Sequence, residues 1–312
     1  GARLARPTWA GPGSGVVPAE DLYGQDGPLP ASLAVVGGGY LAVAAASLFR
    51  ALGVDVVLVF ADDEPLAGFD EELRRHVGGA LQAAGVRLRP GTGVQAVTRG
   101  STRRALETTA GVIAAEWIVA AGATAPVPNT DALDLGAHGV ATTPGGAVYV
   151  DGRYASRVPG LFAIGDCADH AGQGFDPSTF DLGSIAEREG RALAASLFGA
   201  APAPLDYERL PIAVAAPVAF AALGLGEARA AALGFAVEAT RAETASGFVK
   251  LVACARSSTV LGCHLAGAAA PVVIEAVAAG LARDASLAAL AARADLEAPL
   301  AQELVAQARR LG

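Results

Sequence analysis

Leu33-Ala34-Val35-Val36-Gly37-Gly38-Gly39-Tyr40-Leu41-Ala42 is the stretch on which the reading of this chain turns. Four apolar residues lead into three glycines, and the spacing Gly37-x-Gly39-x-x-Ala42 fits the pattern G-x-G-x-x-G/A. In that pattern the first glycine permits a tight turn and the second lets an anion approach the backbone. A small third residue lets the following helix sit close to the strand. An alanine-rich helix is predicted from about Tyr40 to Leu52, stopped by Gly53, and Val54 to Phe60 reads as a second strand. The unit over Ala31 to Phe60 aims the helix's unpaired N–H groups and positive dipole end at the turn. A dinucleotide pyrophosphate suits that geometry, so Gly37, Gly38, Gly39, Tyr40, Leu41 and Ala42 are candidate cofactor-binding residues. The alternative is a glycine turn that binds nothing.

The chain has 312 residues, enough for two or three domains with separate cores. Hydrophobic residues make up 53% and the mean hydropathy is +0.42, which raises the question of a membrane. The uncharged stretch Ala31 to Phe49 is broken by the three glycines and is accounted for by strand, turn and helix. A net charge of −8 gives no basic field for nucleic acid or anionic lipid. No signal peptide is recognisable, and three cysteines without metal-ligand or C-x-x-C spacing fit a reducing cytoplasm. Methionine is absent, including at position 1, so the chain is expected not to be a complete translation product.

Gly1 to Pro30, rich in glycine and proline, reads as an arm without helical or strand period. A helix is predicted from Phe69 to near Gly85, with strands at Val86–Leu88 and Gly93–Val97. A hairpin at Leu106–Thr109 and Gly111–Ala114 carries the sheet to Glu116–Ala120. The texture changes at Gly122, which is grouped with the cofactor-binding residues; Pro126, Pro128 and Asn129 follow in a loop. Ala147–Asp151 reads as a strand, Val158 to Asp166 as a turn and a buried strand with a sharp end, and Leu182–Phe198 as a helix. Ala200-Ala201-Pro202-Ala203-Pro204 marks a boundary. Beyond it, Ile212–Ala215, Phe235–Thr240, Gly247–Ala253 and Val260–Ala266 form an antiparallel set, with helices at Pro271–Leu281 and Leu300–Arg310.

With these segments in order, the chain resembles the pyridine nucleotide–disulfide oxidoreductases, the family of glutathione reductase, dihydrolipoamide dehydrogenase and mercuric reductase. The resemblance rests on Leu33 to Tyr40, Gly68-Phe69-Asp70-Glu71-Glu72-Leu73 and Pro128-Asn129-Thr130. It rests further on Val158 to Ala168, which contains Gly165-Asp166, and on Gly247-Phe248-Val249-Lys250-Leu251-Val252. It implies a nicotinamide dinucleotide on the Gly37–Ala42 turn, and FAD in a neighbouring domain. There Gly165 and Asp166 belong to the cofactor site, with Asp166 accepting a hydrogen bond from the flavin's sugar chain. A helix cap is the other role open to a carboxylate at that position. A homodimer through the C-terminal domain is implied as well. The expected architecture is α/β: a Rossmann-like dinucleotide-binding domain (31–118), a partial FAD domain (119–204) and a C-terminal α+β dimerisation domain (205–312). Residues 1–30 are read as an arm or remnant of the FAD domain.

Departures from the family pattern set further expectations. The N-terminal FAD half, with its own glycine turn and redox cysteine pair, is read as missing. FAD binding by this chain alone is therefore expected to be weak or absent, with a separate chain or upstream segment supplying that half. Glu297 and Gln302 stand where the family has its His–Glu acid–base pair, and Ala44 stands for a glutamate near the nicotinamide. Phe60 replaces the ribose-binding acid at the end of the second strand; Asp62, Asp63 and Glu64 follow, and no arginine is read there, so NADH is favoured over NADPH. His76, His138, His170 and His264 are read as surface, loop and core residues, and no catalytic or metal-binding residue is assigned. The expected activity is hydride transfer from NAD(P)H through flavin to an acceptor other than a dithiol. The alternative is a catalytically dead, dinucleotide-binding, dimerising sensor or scaffold.

Overall fold

The structure, a computed structural model, describes residues 1–25, 27–100, 102–122, 126–169, 183–199 and 205–312. It divides into two compact units, Gly1–Arg6 with Thr124–Leu210, and Pro7–Ala123 with Pro211–Gly312. The chain opens with β1 (Ala2–Leu4) and β2 (Val17–Pro18). It then runs through β3 (Ser32–Val36), α1 (Tyr40–Ala51), β4 (Asp55–Val59), α2 (Glu71–Ala83) and β5 (Arg87–Arg89). A meander of β6 (Val94–Arg99), β7 (Arg104–Thr108) and β8 (Gly111–Ala115) precedes β9 (Trp117–Ala120). Next come β10 (Pro126–Pro128), β11 (Val148–Tyr149), β12 (Ala168–Asp169) and α3 (Gly183–Phe198). The last third holds β13 (Ile212–Val214), β14 (Phe220–Gly224), α4 (Glu227–Ala232), β15 (Val237–Thr244), β16 (Gly247–Cys254) and β17 (Thr259–Ala266). It ends with α5 (Ala270–Leu281), α6 (Leu287–Ala291) and α7 (Pro299–Leu311).

In the larger unit, β2-β9-β3-β4-β5 form a parallel sheet, with Val35 in register with both Leu58 and Val119. Every residue of β3 is buried, as a central parallel strand with both faces covered requires. The strand–turn–helix–strand expectation holds over Ala31 to Phe60. The hairpin, however, does not extend this sheet. β6, β7 and β8 make a separate antiparallel sheet, and Leu106 and Ala115 pack with Ala34, Val36, Val57, Val59 and Ile118.

The second sheet of this unit, β13-β14-β17-β16-β15, is antiparallel throughout. Its inner face carries Leu251, Cys263 and Leu265 against Ile274 and Val277 of α5 and Leu300 and Leu304 of α7. The sequence reading did not identify β14. Phe-Ala-Ala-Leu-Gly has no β-branched residue, so local propensity does not announce a strand; pairing on both sides with β13 and β17 makes it one. The short α4 and α6 were missed for the same want of length.

In the smaller unit β1 pairs antiparallel with β10 and β11 pairs parallel with β12. One apolar cluster gathers Val140, Val148, Ala163 and Ala168, and another Tyr154, Ile185, Tyr207 and Leu210. Three expectations are corrected here. Pro126–Pro128 is an edge strand instead of a loop, in the position where a sheet tolerates proline. Among the described residues the segment before Gly165 forms only a single antiparallel bridge, Ala155 to Phe162, closed by a turn at Val158–Leu161. Leu161 N–H bonds Val158 O, Ser156 N–H bonds Leu161 O, and Ala163 N–H bonds Tyr154 O. The opening residues, read as an arm, supply β1, β2 and a 3-10 turn at Ala19–Gly24. Strands of two or three residues carry no period that a sequence can show. The expected boundary at 200–204 and His170 lie outside the described residues. Among the described residues no helix is long and apolar enough to cross a membrane.

Candidate functional site

The glycine turn is held from both neighbouring strands. Gly37 N–H donates to Val59 O of β4 at 2.9 Å, and Ala121 N–H donates to Val36 O at 2.8 Å. Gly37 has φ +133°, and a Cβ there would stand 2.0 Å from the Ala121 carbonyl oxygen, so only glycine closes this corner. Gly38 is packed against Phe60, and its carbonyl accepts Leu66 N–H at 2.6 Å. Leu66, fully buried, takes φ +60°, a left-handed conformation uncommon for a non-glycine residue.

Gly39 differs from both. It is the N-cap of α1 in extended backbone, no side chain caps the helix, and no described atom lies within 4 Å of a Cβ built on it. Tyr40, Leu41 and Ala42 form the first turn of α1, and Ala42 is wholly buried beneath it. Gly122 follows β9 with φ +75° and equally open surroundings. A helix start with space in front of its amides and the positive dipole end behind them fits a pyrophosphate.

At the expected ribose end, Phe60 is buried, with its N–H on Arg89 O at 3.2 Å. The β4–β5 pairing thus brings Arg89 alongside Phe60, an arginine that sequence distance hid. Asp62 and Asp63 are exposed, and Glu64 lies against α2.

In the smaller unit Gly165 and Asp166 lie in a 3-10 turn, Gly165–Cys167. Asp166 is half-buried, and among the described residues its carboxylate caps no helix and accepts no hydrogen bond. A half-buried carboxylate can accept a hydroxyl, the contact that the sugar chain of a flavin would offer. Gly165 has φ +64° and its N–H donates to Glu189 Oε2.

A buried ion cluster in the larger unit escaped the sequence reading. Lys250, the only lysine of the chain, sits in the buried strand β16 with its Nζ 3.0 Å from Asp70 Oδ2, 2.9 Å from Glu72 Oε2 and 2.8 Å from Glu227 Oε2. Asp70 Oδ1 caps α2 through the N–H groups of Glu72 and Leu73, while Oδ2 takes the Glu227 N–H that begins α4. Burial alone would raise Asp70; the field of His264 and hydrogen bonds from Lys250 and the Glu227 amide outweigh it and hold the carboxyl below its ordinary value. The available clue was one cation inside an apolar strand.

His264, beside Lys250 in the sheet register, is buried with Nε2 3.2 Å from Leu225 O and Nδ1 without a partner among the described residues. Burial pushes it below its ordinary 6.5, so the ring takes up its charge, and exerts its field on Asp70, only on the acid side. Below pH 6.5 the unfolded chain takes up a proton here that the folded chain refuses, so stability falls with pH by up to about 1.4 kcal/mol per unit. Denaturant midpoints of His264→Gln are expected to fall less steeply than those of the native chain between pH 7 and 5.5. Parallel curves for the two proteins would show that the imidazole does not titrate differently on folding.

The remaining candidates are spread out. His76 stacks on Phe248 and lies 3.6 Å from Glu243, and His138 is exposed. None of the three cysteines is in a disulfide; Cys254 and Cys263 are buried, and burial pushes the Cys263 thiol up. Glu297 is exposed, with its carbonyl taken by the Gln302 side chain at 3.1 Å. No metal-ligand cluster occurs among the described residues.

Comparison with known proteins bears on the cofactors. The family described as "Pyridine nucleotide-disulphide oxidoreductase" matches residues 12–190, and its dimerisation domain matches 210–309. Glutathione reductase of Burkholderia cepacia is 32% identical over 98% of this chain and 68% of its own length. Dihydrolipoyl dehydrogenase of Cupriavidus necator is 31% identical over 80% of this chain and 54% of its own. Among solved structures, LpdA of Mycobacterium tuberculosis superposes with TM-score 0.84 at 24% identity, covering all of this chain and 68% of that one. The HOCl-induced flavoprotein disulfide reductase RclA of Escherichia coli, as its Cu(II) complex, gives TM-score 0.86 at 20% identity over 100% and 71%. The chain thus spans between about half and 71% of the length of these relatives.

These matches overturn one expectation in each form it took. The FAD-binding region is present within residues 12–190, so the missing FAD half, the partial FAD domain, the weak or absent FAD and the separate chain or upstream segment supplying that half all fall. The error lay in resting the judgement on a second glycine turn. Residues 1–6 and 124–210 instead fold together, β1 on β10, into a compact unit. The C-terminal domain is the family's dimerisation domain and supports a homodimer. With an oxidoreductase fold, a Rossmann-like dinucleotide turn, an FAD-binding region and a dimerisation domain in that order, the chain belongs to the pyridine nucleotide–disulphide oxidoreductase family.

Proposed function

We propose that this protein is an FAD-dependent pyridine nucleotide oxidoreductase that moves a hydride from NAD(P)H through flavin to an acceptor other than a dithiol–disulfide pair. The observation that carries it is the open, uncapped start of α1 at Gly39, set in a turn that Gly37 alone can close. In this reading the amides of Gly38 to Ala42 and the residue Gly122 receive the dinucleotide. Gly165 and Asp166 receive the flavin, with Asp166 accepting a hydroxyl of its sugar chain. Bound FAD supplies the two-electron relay between nicotinamide and acceptor. The dinucleotide-binding domain spans 31–118, the FAD-binding region extends through 204 and the dimerisation domain begins at Leu205. A cytoplasmic setting suits three cysteines outside disulfides.

The choice against a dithiol acceptor rests on the buried Cys254 and Cys263, on an exposed Glu297, and on Gln302 bonded to the backbone. A solvent-facing carboxylate is not the imidazole that takes and returns protons near neutrality. A second reading, a dimerising sensor that binds dinucleotide without turning over, is favoured by Ala44 and Phe60 standing at the expected polar contacts.

Calorimetric titration is expected to show NADH binding more tightly than NADPH, since acidic Asp62 and Asp63 are the exposed charges after β4. The reverse order would assign Arg89 to a 2′-phosphate. A yellow protein that passes electrons from NADH to a small oxidant supports the enzyme. One that binds NADH without turnover supports the sensor, and no heat with either nucleotide sinks both.

A further inference from the structure

Glu189 is wholly buried in α3 although it carries a carboxyl group, and both of its oxygens are engaged. Oε2 accepts the Gly165 N–H, and Oε1 accepts the Tyr207 hydroxyl at 2.8 Å. The Tyr207 hydroxyl also lies 3.4 Å from that of Tyr154, itself buried at a left-handed φ of +64°. Burial first, then the hydrogen bonds with Tyr154 and the Glu189 carboxyl, push the Tyr207 phenol up, so it stays protonated as a donor.

The same face of α3 shapes the turn sterically. A Cβ on Gly165 would stand 2.9 Å from that of Ala186, and one on Gly190 would stand 3.4 Å from Ile164 Cδ1. The helix therefore presses on Ile164–Gly165 from both sides of Glu189. The backbone amide that Glu189 holds is one residue from the Asp166 side chain, in a turn that the flanking strand pairing does not reach.

From this we infer that Glu189 is a positioning residue for the flavin: by fixing the Gly165 amide on α3 it sets where the Asp166 carboxylate stands. The inference rests on the reading above that Asp166 receives the flavin's sugar chain. Glu189 is not called catalytic, since it reaches cofactor only through the turn.

The test is titration of the full chain with FAD, followed by flavin fluorescence and the visible absorption band, with far-UV circular dichroism as the check on folding. Glu189→Met matches the length of the side chain and removes the carboxyl acceptor, and it is expected to lower FAD affinity by about 10- to 100-fold, the cost of leaving the Gly165 N–H without its partner. Glu189→Gln keeps an acceptor for the Gly165 N–H and is expected to stay within about threefold of the native chain, since geometry and not net charge is at stake. Should Glu189→Met fail to fold, Glu189→Asp reads the same arm. It retracts the carboxylate by one methylene and is expected to cost about threefold or more, a weakened hydrogen bond. A folded Glu189→Met, or in its place Glu189→Asp, that binds FAD as tightly as the native chain overturns the inference. So does a Glu189→Gln variant that loses as much as Glu189→Met. A native chain that takes no FAD instead overturns the reading of Asp166, and the inference falls with it.

Discussion

Replacing Lys250 by methionine is expected to destabilise the protein by about 3–5 kcal/mol, the cost of leaving a buried charge without its partner. Methionine matches the stem in length, so packing in β16 is largely kept and the loss is that of the ammonium group. Asp70, with 2% of its side chain exposed, would keep its cap on α2 and its bond to the Glu227 amide but face the nearby carboxylates uncompensated. Glu72 retains Arg241 and is 21% exposed, so Asp70 bears most of the penalty.

Urea unfolding measures the loss as a lower midpoint, and hydrogen exchange should locate it in α2 and α4, the two helices that Asp70 caps. The double variant Lys250→Met with Asp70→Asn should recover part of the loss, with a coupling of about 0.5–3 kcal/mol. A single variant within 1 kcal/mol of the native protein, or a strictly additive pair, would mean that water reaches the cluster and the ammonium group contributes little.

Two neighbouring glycines are expected to respond in opposite ways to alanine. Gly37→Ala must push its Cβ away from an Ala121 oxygen that would stand 2.0 Å off, at φ +133°. Overpacking and backbone strain together are expected to destabilise the fold by about 2–5 kcal/mol. Because Gly37 and Ala121 lie where β4, β3 and β9 are tied, the shift disturbs the turn itself and NADH binding goes with it. Gly39→Ala meets no described atom and sits at φ −78°, which alanine adopts freely. Its stability is expected to change by under about 1 kcal/mol, an N-cap effect.

If a diphosphate occupies the space in front of Gly39, the added methyl group should still weaken NADH by about tenfold or more, equivalent to 1.4 kcal/mol. Thermal melts paired with NADH calorimetry separate the two outcomes. A Gly39→Ala protein that binds NADH as well as the native chain would remove the glycine turn from the binding site.

These cases show how unevenly the fold and site were legible. The turn Gly37–Ala42, helix α1 and strands β3 and β4 could be read because each is fixed by residues within about thirty positions: an apolar run, a glycine spacing and a helix stop. Antiparallel β15 to β17 were legible for the same reason, as were α5 and α7 behind them. Strands β1, β2 and β14 were not, since two or three residues, or five without a β-branched one, hold no period, and their partners are distant in sequence. Arg89 and Phe60 are separated by 29 positions but meet through the β4–β5 pairing. The FAD-binding region, within residues 12–190, was misjudged because a second glycine turn was the feature looked for, and adjacent residues offer none.

The sequence by itself determined the dinucleotide turn, the α/β character and the family resemblance, because local backbone geometry and burial period are written in adjacent residues. Only the tertiary structure decided which charges are buried and what they hold. Asp70 and Glu227 are 157 positions apart, and Gly165 and Glu189 are 24. A carboxylate's role depends on the donors that folding places around it, and no spacing along the chain specifies those.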